Sequence, residues 1–233
     1  GSDLALPLSD PALGQQRLAA FSPAADKVAF VRDNNVFITD GTSEVQVTTD
    51  GRVNEVINGA TDWVYEEEFG KDNGLFWSPD GERLAYYRFD ESAVREFSMP
   101  VYGDLYPDPS TFKYPKAGEV NSAVSVHVHS LASGESRKVD LPDAEYVPRI
   151  QWTHTPTTLA VLTMNRNQND LRMLLADCTA KSRLIPVTEG WAERSDTYID
   201  ITDNLTFLDD GRRFVLTSER DGFNHLYAFD FQG

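Results

Sequence analysis

The residues best suited to chemistry sit in one run, Asp62-Trp63-Val64-Tyr65-Glu66-Glu67-Glu68-Phe69, where three carboxylates follow one another between aromatic side chains. Carboxylates accept hydrogen bonds and attract cations, and a formal charge of −16 suits a cationic ligand. Without further context such a run reads as a solvated face, and Glu66 is read as structural. The other candidates are weaker. His127 and His129 alternate on one face of a strand, a spacing that fits two metal ligands, but no third Cys, His or carboxylate lies near them in sequence. No metal site is assigned, and nothing calls for a cofactor. His154 falls in a turn and His225 in a hairpin, with no nucleophile to serve. Cys178, the single cysteine, stands near a strand end without a basic cluster and reads as a buried, inert thiol that can form no intrachain disulfide. No Gly-x-Ser-x-Gly nucleophile elbow occurs, so no catalytic residue is assigned and the chain alone should be inactive.

These residues must be positioned by β-structure, because one grammar recurs along the chain: an aromatic, a Pro/Asp/Gly turn, an alternating apolar strand, a polar turn and another strand. It appears as Phe21-Ser22-Pro23 with Val28–Val31 and Val36–Ile38. It returns as Phe76-Trp77-Ser78-Pro79-Asp80-Gly81 with Leu84–Tyr87, and as Ile150-Gln151-Trp152 with Leu159–Leu162 and Leu171–Leu174. The last copy is Phe207-Leu208-Asp209-Asp210-Gly211 with Phe214–Leu216 and Leu226–Phe229. Pro presets φ at the corner and Asp-Gly tolerates the positive φ of a hairpin. Further strands fit Glu44–Thr48 and Ser136–Val139. Four strands per repeat predict blades of a β-propeller, with a β-sandwich as the competing architecture. The expected fold is all-β, a single partial propeller over 1–233, with blades at about 18–60, 74–142, 148–190 and 203–233. Two segments break the grammar: a short helix over 62–70, capped by Thr61 or Asp62 and ended by Gly70, and a long irregular insertion over 89–121 rich in Pro and Tyr.

Composition excludes several partners. The net negative charge argues against nucleic acid, which is bound through clustered Lys and Arg. No apolar run approaches the ~18 residues of a membrane span. The opening Gly1-Ser2 reads as a tag remnant, so any export signal lies outside the sequence.

The acid run resembles the glutamate motif of the dipeptidyl peptidase IV family, serine exopeptidases of the prolyl oligopeptidase clan. The resemblance continues through Phe76–Gly81, Leu84-Ala85-Tyr86, Tyr114-Pro115-Lys116-Ala117-Gly118 followed by Asn121, Gly190-Trp191, and Ser218 through Tyr227, in the same order. It implies an eight-bladed propeller, of which this chain holds roughly four blades, set over an α/β-hydrolase domain that supplies Ser, Asp and His and is absent here. It further implies that Glu67 and Glu68 bind the α-ammonium of a peptide with a free N-terminus, and that the parent releases Xaa-Pro or Xaa-Ala dipeptides. An ammonium has three donors and no acceptor, so two carboxylates on a rigid spur can take two of them, and an internal amide would leave desolvated charges unpaired.

The family's carbonyl-binding arginine has no counterpart, and Arg17 is not promoted to it. Family habit points to an exported, periplasmic or envelope protein. A partial propeller should also associate with copies of itself through open blade edges. The rival reading is a non-enzymatic binding propeller that recruits protein partners through its rim or the 89–121 insertion. A prolyl tripeptidyl enzyme is the weaker relative, disfavoured by the doubled acid after Tyr65-Glu66.

Overall fold

Turn chemistry decides where the strands form. Asp33 and Asn34 take φ of 50° and 57°, the two left-handed positions that a type I′ hairpin demands. They join β2 (Val28–Arg32) to β3 (Asn35–Thr39), which pair in register from Val28↔Thr39 to Arg32↔Asn35. Both strands are buried along their full length, so they carry apolar side chains on both faces. With β1 (Arg17–Phe21) and β4 (Glu44–Gln46) they form an antiparallel sheet in the order β1-β2-β3-β4. A computed structural model describes residues 7–142 and 144–231; Gly1, Ser2 and Gly233 lie outside the described residues.

The second sheet starts at the Ser-Pro-Asp-Gly corner, where the Ser78 hydroxyl donates to Asp80 and accepts from the Arg83 N–H, and Gly81 takes a φ of 71°. Its order is β11-β10-β7-β5, with β6 (Leu75–Trp77) also on β7 (Arg83–Asp90); β10 is Ala123–Ser130 and β11 is Ser136–Lys138. The short β5 (Val56–Asn58) falls by sequence pattern within the first repeat, yet it pairs with β7, Val56 opposite Asp90. The third sheet is the meander β12 (Tyr146–Trp152), β13 (Thr158–Met164), β14 (Asp170–Asp177) and β15 (Val187–Arg194). The fourth is β16 (Thr206–Phe207), β17 (Arg213–Ser218) and β18 (His225–Asp230).

The segment expected to be irregular, 89–121, contains an antiparallel hairpin, β8 (Glu96–Val101) with β9 (Asp108–Lys113). The density of Pro and Gly hid it, and the signal present was the alternation of Phe97, Met99 and Val101. Pro100 and Pro109 face each other across the ladder, which two strands tolerate when both have a free side.

By contacts the chain divides into two compact units, residues up to 75 with 86–124, and 76–85 with 125 onward. The division falls inside β7 and β10. The first unit is built around Phe30, Tyr65, Tyr87 and Phe89, each at most 3% exposed. The second is built around Leu162, Met164, Met173, Phe207, Phe214 and Leu216, with Trp191, Phe229 and Phe231 packed against them.

Candidate functional site

The acid run forms a single helical turn, α1 (Trp63–Glu67), shorter than the expected 62–70. Asp62 rather than Thr61 caps it: its backbone is extended and its Oδ1 accepts the Tyr65 N–H at 3.0 Å. Thr61 instead donates its hydroxyl to the Lys71 carbonyl at 2.5 Å. Regular helix stops at Glu67, with Glu68 as the C-cap. The chain turns back through Gly70, whose φ is 60°, so that the Lys71 N–H reaches the Tyr65 carbonyl at 2.9 Å.

The turn is held as a closed loop. At its base the Gly74 N–H donates to the Gly59 carbonyl at 3.0 Å, and Ala60 bridges Asn73. Gly59 has a φ of 73°, and a Cβ there would lie 2.7 Å from Val36 Cγ2, while a Cβ on Gly74 would lie 2.9 Å from the Gly59 carbonyl carbon and push the base apart. On the apolar side Tyr65 is 3% exposed. Its ring meets Phe89, Phe69 and Tyr87 at centroid distances of 4.7, 5.0 and 6.0 Å, the edge-on geometry aromatic pairs prefer. Trp63 packs edge-on against Tyr114 at 4.3 Å. The second oxygen of Asp62 accepts the Ser122 hydroxyl at 2.6 Å.

This framework presents Glu66, Glu67 and Glu68 outward. All three are exposed, and among the described residues none of their carboxylates has a hydrogen bond or ion pair. Three consecutive like charges repel one another, so local stability does not explain them. Both Glu67 and Glu68 are exposed to solvent in the chain without a ligand. A hydrated carboxylate and an ammonium gain only ~0–1 kcal/mol. Discrimination of several kcal/mol therefore requires a seated ligand to displace that water.

Behind the exposed acids lie buried ones that sequence reasoning missed. Asp62 is 5% exposed, and burial pushes its carboxyl up against the hydrogen bonds from Ser122 and Tyr65. Glu91 is 6% exposed, and its carboxyl accepts no hydrogen bond among the described residues. Burial first, then the Asp62 charge, pushes it up to about 7, while Lys113 opposes and Asp90 adds to the rise. In sequence, Asp90-Glu91-Ser92 reads as an ordinary polar turn. Ser122 follows Asn121 in the recognised segment and carries no signal of its own.

The remaining candidates resolve into structure. Among the described residues no group of three or more His, Cys, Asp or Glu could hold a metal ion. His127 and His129 contact the hydroxyls of Ser125 and Ser136 at 3.2 and 3.1 Å, and burial lowers the His129 pKa. His154 contacts the Phe207 carbonyl, and His225 lies 3.9 Å from Asp221. Cys178 is buried, but basic groups are close, which corrects the sequence reading: Arg137 donates to the Cys178 carbonyl at 2.8 Å. Burial still prevails over the Arg83 and Arg137 charges and pushes the thiol up to about 11. Arg17 is exposed and donates to Asn34 Oδ1 at 3.1 Å.

The second unit has a concavity of about 700 Å³ lined by Trp191, Glu193, Arg194, Ser218, Arg220 and Asn224 among others. Its inner charges already have partners. Arg220 donates to Glu193 at 2.7 Å, Ser218 donates to the same carboxylate, and Arg172 and Arg194 both hold Asp170. No helix among the described residues is long and apolar enough to cross a membrane.

Comparison with known proteins identifies the family of the chain. The description "dipeptidyl peptidase IV (DPP IV) N-terminal region" matches residues 5–233. Probable dipeptidyl peptidase 4 of Aspergillus clavatus is 32% identical over 97% of this chain and 31% of its own length. Dipeptidyl aminopeptidase B of Saccharomyces cerevisiae is 32% identical over 91% of this chain and 28% of its own. The crystal structure of Porphyromonas gingivalis dipeptidyl peptidase 4 matches with a TM-score of 0.87 and 47% identity, covering 96% of this chain and 32% of that one. The chain thus spans under a third of the length of these relatives.

Proposed function

This chain belongs to the family of the dipeptidyl peptidase IV N-terminal region as an all-β propeller fragment, and from that premise we propose that it is the part of a serine exopeptidase that recognises the free amino end of a peptide. Glu67 and Glu68 accept hydrogen bonds from the substrate α-ammonium, and a hydrolase domain beyond this chain supplies the nucleophile. The parent releases Xaa-Pro or Xaa-Ala dipeptides and works outside the cytoplasm. The observation that supports this most is three exposed, unpartnered carboxylates on a turn that is anchored on its buried side.

The chemistry is a matter of counting donors. An ammonium offers three N–H donors with a full charge, and charge-assisted hydrogen bonds of this kind are worth roughly 1.5–3 kcal/mol each once water is excluded. A peptide without a free amine leaves both carboxylates unmatched as the site closes. The geometry would then select chain ends and fix how far the chain enters.

In the full-length protein, Glu67→Gln or Glu68→Gln should lower kcat/KM for a free-amine Ala-Pro substrate about a hundredfold, roughly 3 kcal/mol. The N-acetylated substrate, already poor, should change little. Equal losses on both substrates would remove the amine-binding role. The rival reading, a binding module without catalysis, draws on the β8–β9 hairpin, whose tip exposes Tyr102, Leu105 and Tyr106 at 78%, 91% and 81%. Absence of any peptidase activity in the full-length protein would favour it. Self-association through open edges goes with the fragment reading and draws on Phe223 and Leu226, both more than 70% exposed around the start of β18.

A further inference from the structure

The attachments that close the acidic loop at its base, Gly59 to Gly74, Ala60 to Asn73 and Thr61 to Lys71, are local in sequence. They fix where the loop begins and ends. They do not fix the direction in which its outer turn points. Within α1 only Tyr65 is buried, and the buried ring that follows, Phe69, packs on Tyr65 itself, so the two act as one anchor about which a single helical turn can swivel. A second fixed point is required.

That point comes from residues 114–122, the segment that follows the β8–β9 hairpin. Tyr114 lies edge-on against Trp63 at 4.3 Å, and Ser122 donates its hydroxyl to Asp62 Oδ2 at 2.6 Å across sixty positions. Both partners of this hydrogen bond are buried, Asp62 at 5% and Ser122 at 9% exposure. Both oxygens of Asp62 are used, one on the Tyr65 N–H inside the turn and one on the segment outside it. A carboxylate can accept on both sides at once, whereas an amide offers one acceptor and one donor. The same side chain therefore starts the helix and ties it to a distant part of the unit.

We propose that the Asp62–Ser122 hydrogen bond sets the orientation of Glu67 and Glu68, making Asp62 and Ser122 positioning residues for recognition of a peptide's amino end. This inference rests on the reading of Glu67 and Glu68 as amine acceptors. It also gives a physical reason why the two most specific segments of the sequence, the acid run and the stretch from Tyr114 to Ser122, occur together: one is the pointer and the other is the strap that aims it.

The test uses the full-length protein with free-amine and N-acetylated Ala-Pro substrates. Ser122→Ala should raise KM for the free-amine substrate about tenfold, change kcat less than threefold and leave the N-acetylated substrate untouched. Ser122→Thr, which keeps the hydroxyl, should restore KM, and Asp62→Asn, whose amide can donate to the Ser122 oxygen in place of accepting from it, should fall between Ser122→Ala and the parent. A general loss of structure would instead lower the active fraction and reduce kcat on both substrates alike, which overturns the proposal. An unchanged KM in Ser122→Ala, in a protein where Glu67→Gln does lose its amine preference, overturns the positioning role and leaves the amine reading intact. If Glu67→Gln keeps that preference, both fall.

Discussion

In the first unit three carboxylates stand on α1 and its C-cap with no partner, while in the second Glu193 and Asp170 are each held by arginine. The residue types are the same, acids beside aromatic rings. The difference lies in burial. The Glu193 side chain is 10% exposed, and it receives Arg220 at 2.7 Å together with the Ser218 hydroxyl. The Arg220 guanidinium lies 4.7 Å from the Phe229 ring centre and 5.2 Å from that of Tyr227. A charge withdrawn from water must be matched or, as at Glu91, suppressed by protonation, and a matched charge has nothing left for a ligand. The glutamates of α1 avoid that requirement by staying wet, and their acceptor capacity remains open. The concavity of the second unit thus has its inner charges matched, and the exposed turn of the first does not.

Four substitutions sharpen this contrast. The largest effect is expected for Phe214→Ala in the second unit. Phe214 is fully buried and stacks within 5.3 Å of Phe229 and 5.4 Å of Phe231, so its removal should lower unfolding stability by about 3–5 kcal/mol in a denaturant titration. A loss below ~1 kcal/mol would mean that the aromatic cluster is not the core of its unit.

Next comes Glu91→Gln, which tests whether the first unit tolerates unmatched charge inside as well as outside. A carboxyl raised from 4.5 to about 7 binds its proton more tightly when folded. Its contribution to stability is then full below the unfolded value and is lost as pH rises through 7. Removing the charge should raise stability by on the order of 2–3 kcal/mol at pH 8 and by little at pH 4. Urea midpoints across that range would show it, and a gain that does not grow with pH would contradict the buried charge. Asp170 should run the opposite way, because hydrogen bonds from Arg172 first, then Arg194, hold its carboxyl down, so its stabilisation is lost on acidification.

The smallest effect separates the two regions most directly. Glu193→Gln should destabilise by about 1–2 kcal/mol, since it leaves a partly exposed Arg220 with a weaker acceptor. Glu67→Gln should stay within ~0.5 kcal/mol of the parent. Matched thermal melts check the pair, and equal losses would erase the distinction drawn between them.

The strands were legible because their turns are chemical. The Asp-Gly corners at Gly41, Gly81, Gly211 and Gly222 take the positive φ their residue types announce, Gly51 being the exception, and alternation did the rest. The acidic turn was legible too, down to an Asp or Thr cap. What stayed hidden is non-local. Ser122 meets Asp62 across sixty positions, and a serine is too common a residue to advertise such a partner. Glu91 looks like a turn residue until the strands around it enclose it. The exposure of Glu67 and Glu68 could not be read from the charge pattern, which reports sign and spacing but not depth. The hairpin β8–β9 was missed because Pro is taken as a strand breaker, a rule that fails where a strand has an open side.

That facing pair of prolines, Pro100 and Pro109, has its own consequence. An imide nitrogen carries no hydrogen, so the hairpin can keep its ladder at this pair only if both ring nitrogens turn away from the partner strand. Each outer border then lacks a donor at the same level. A foreign strand that tried to zip along either flank would lose a rung midway, which makes this projecting arm a poor template for fibrillar growth.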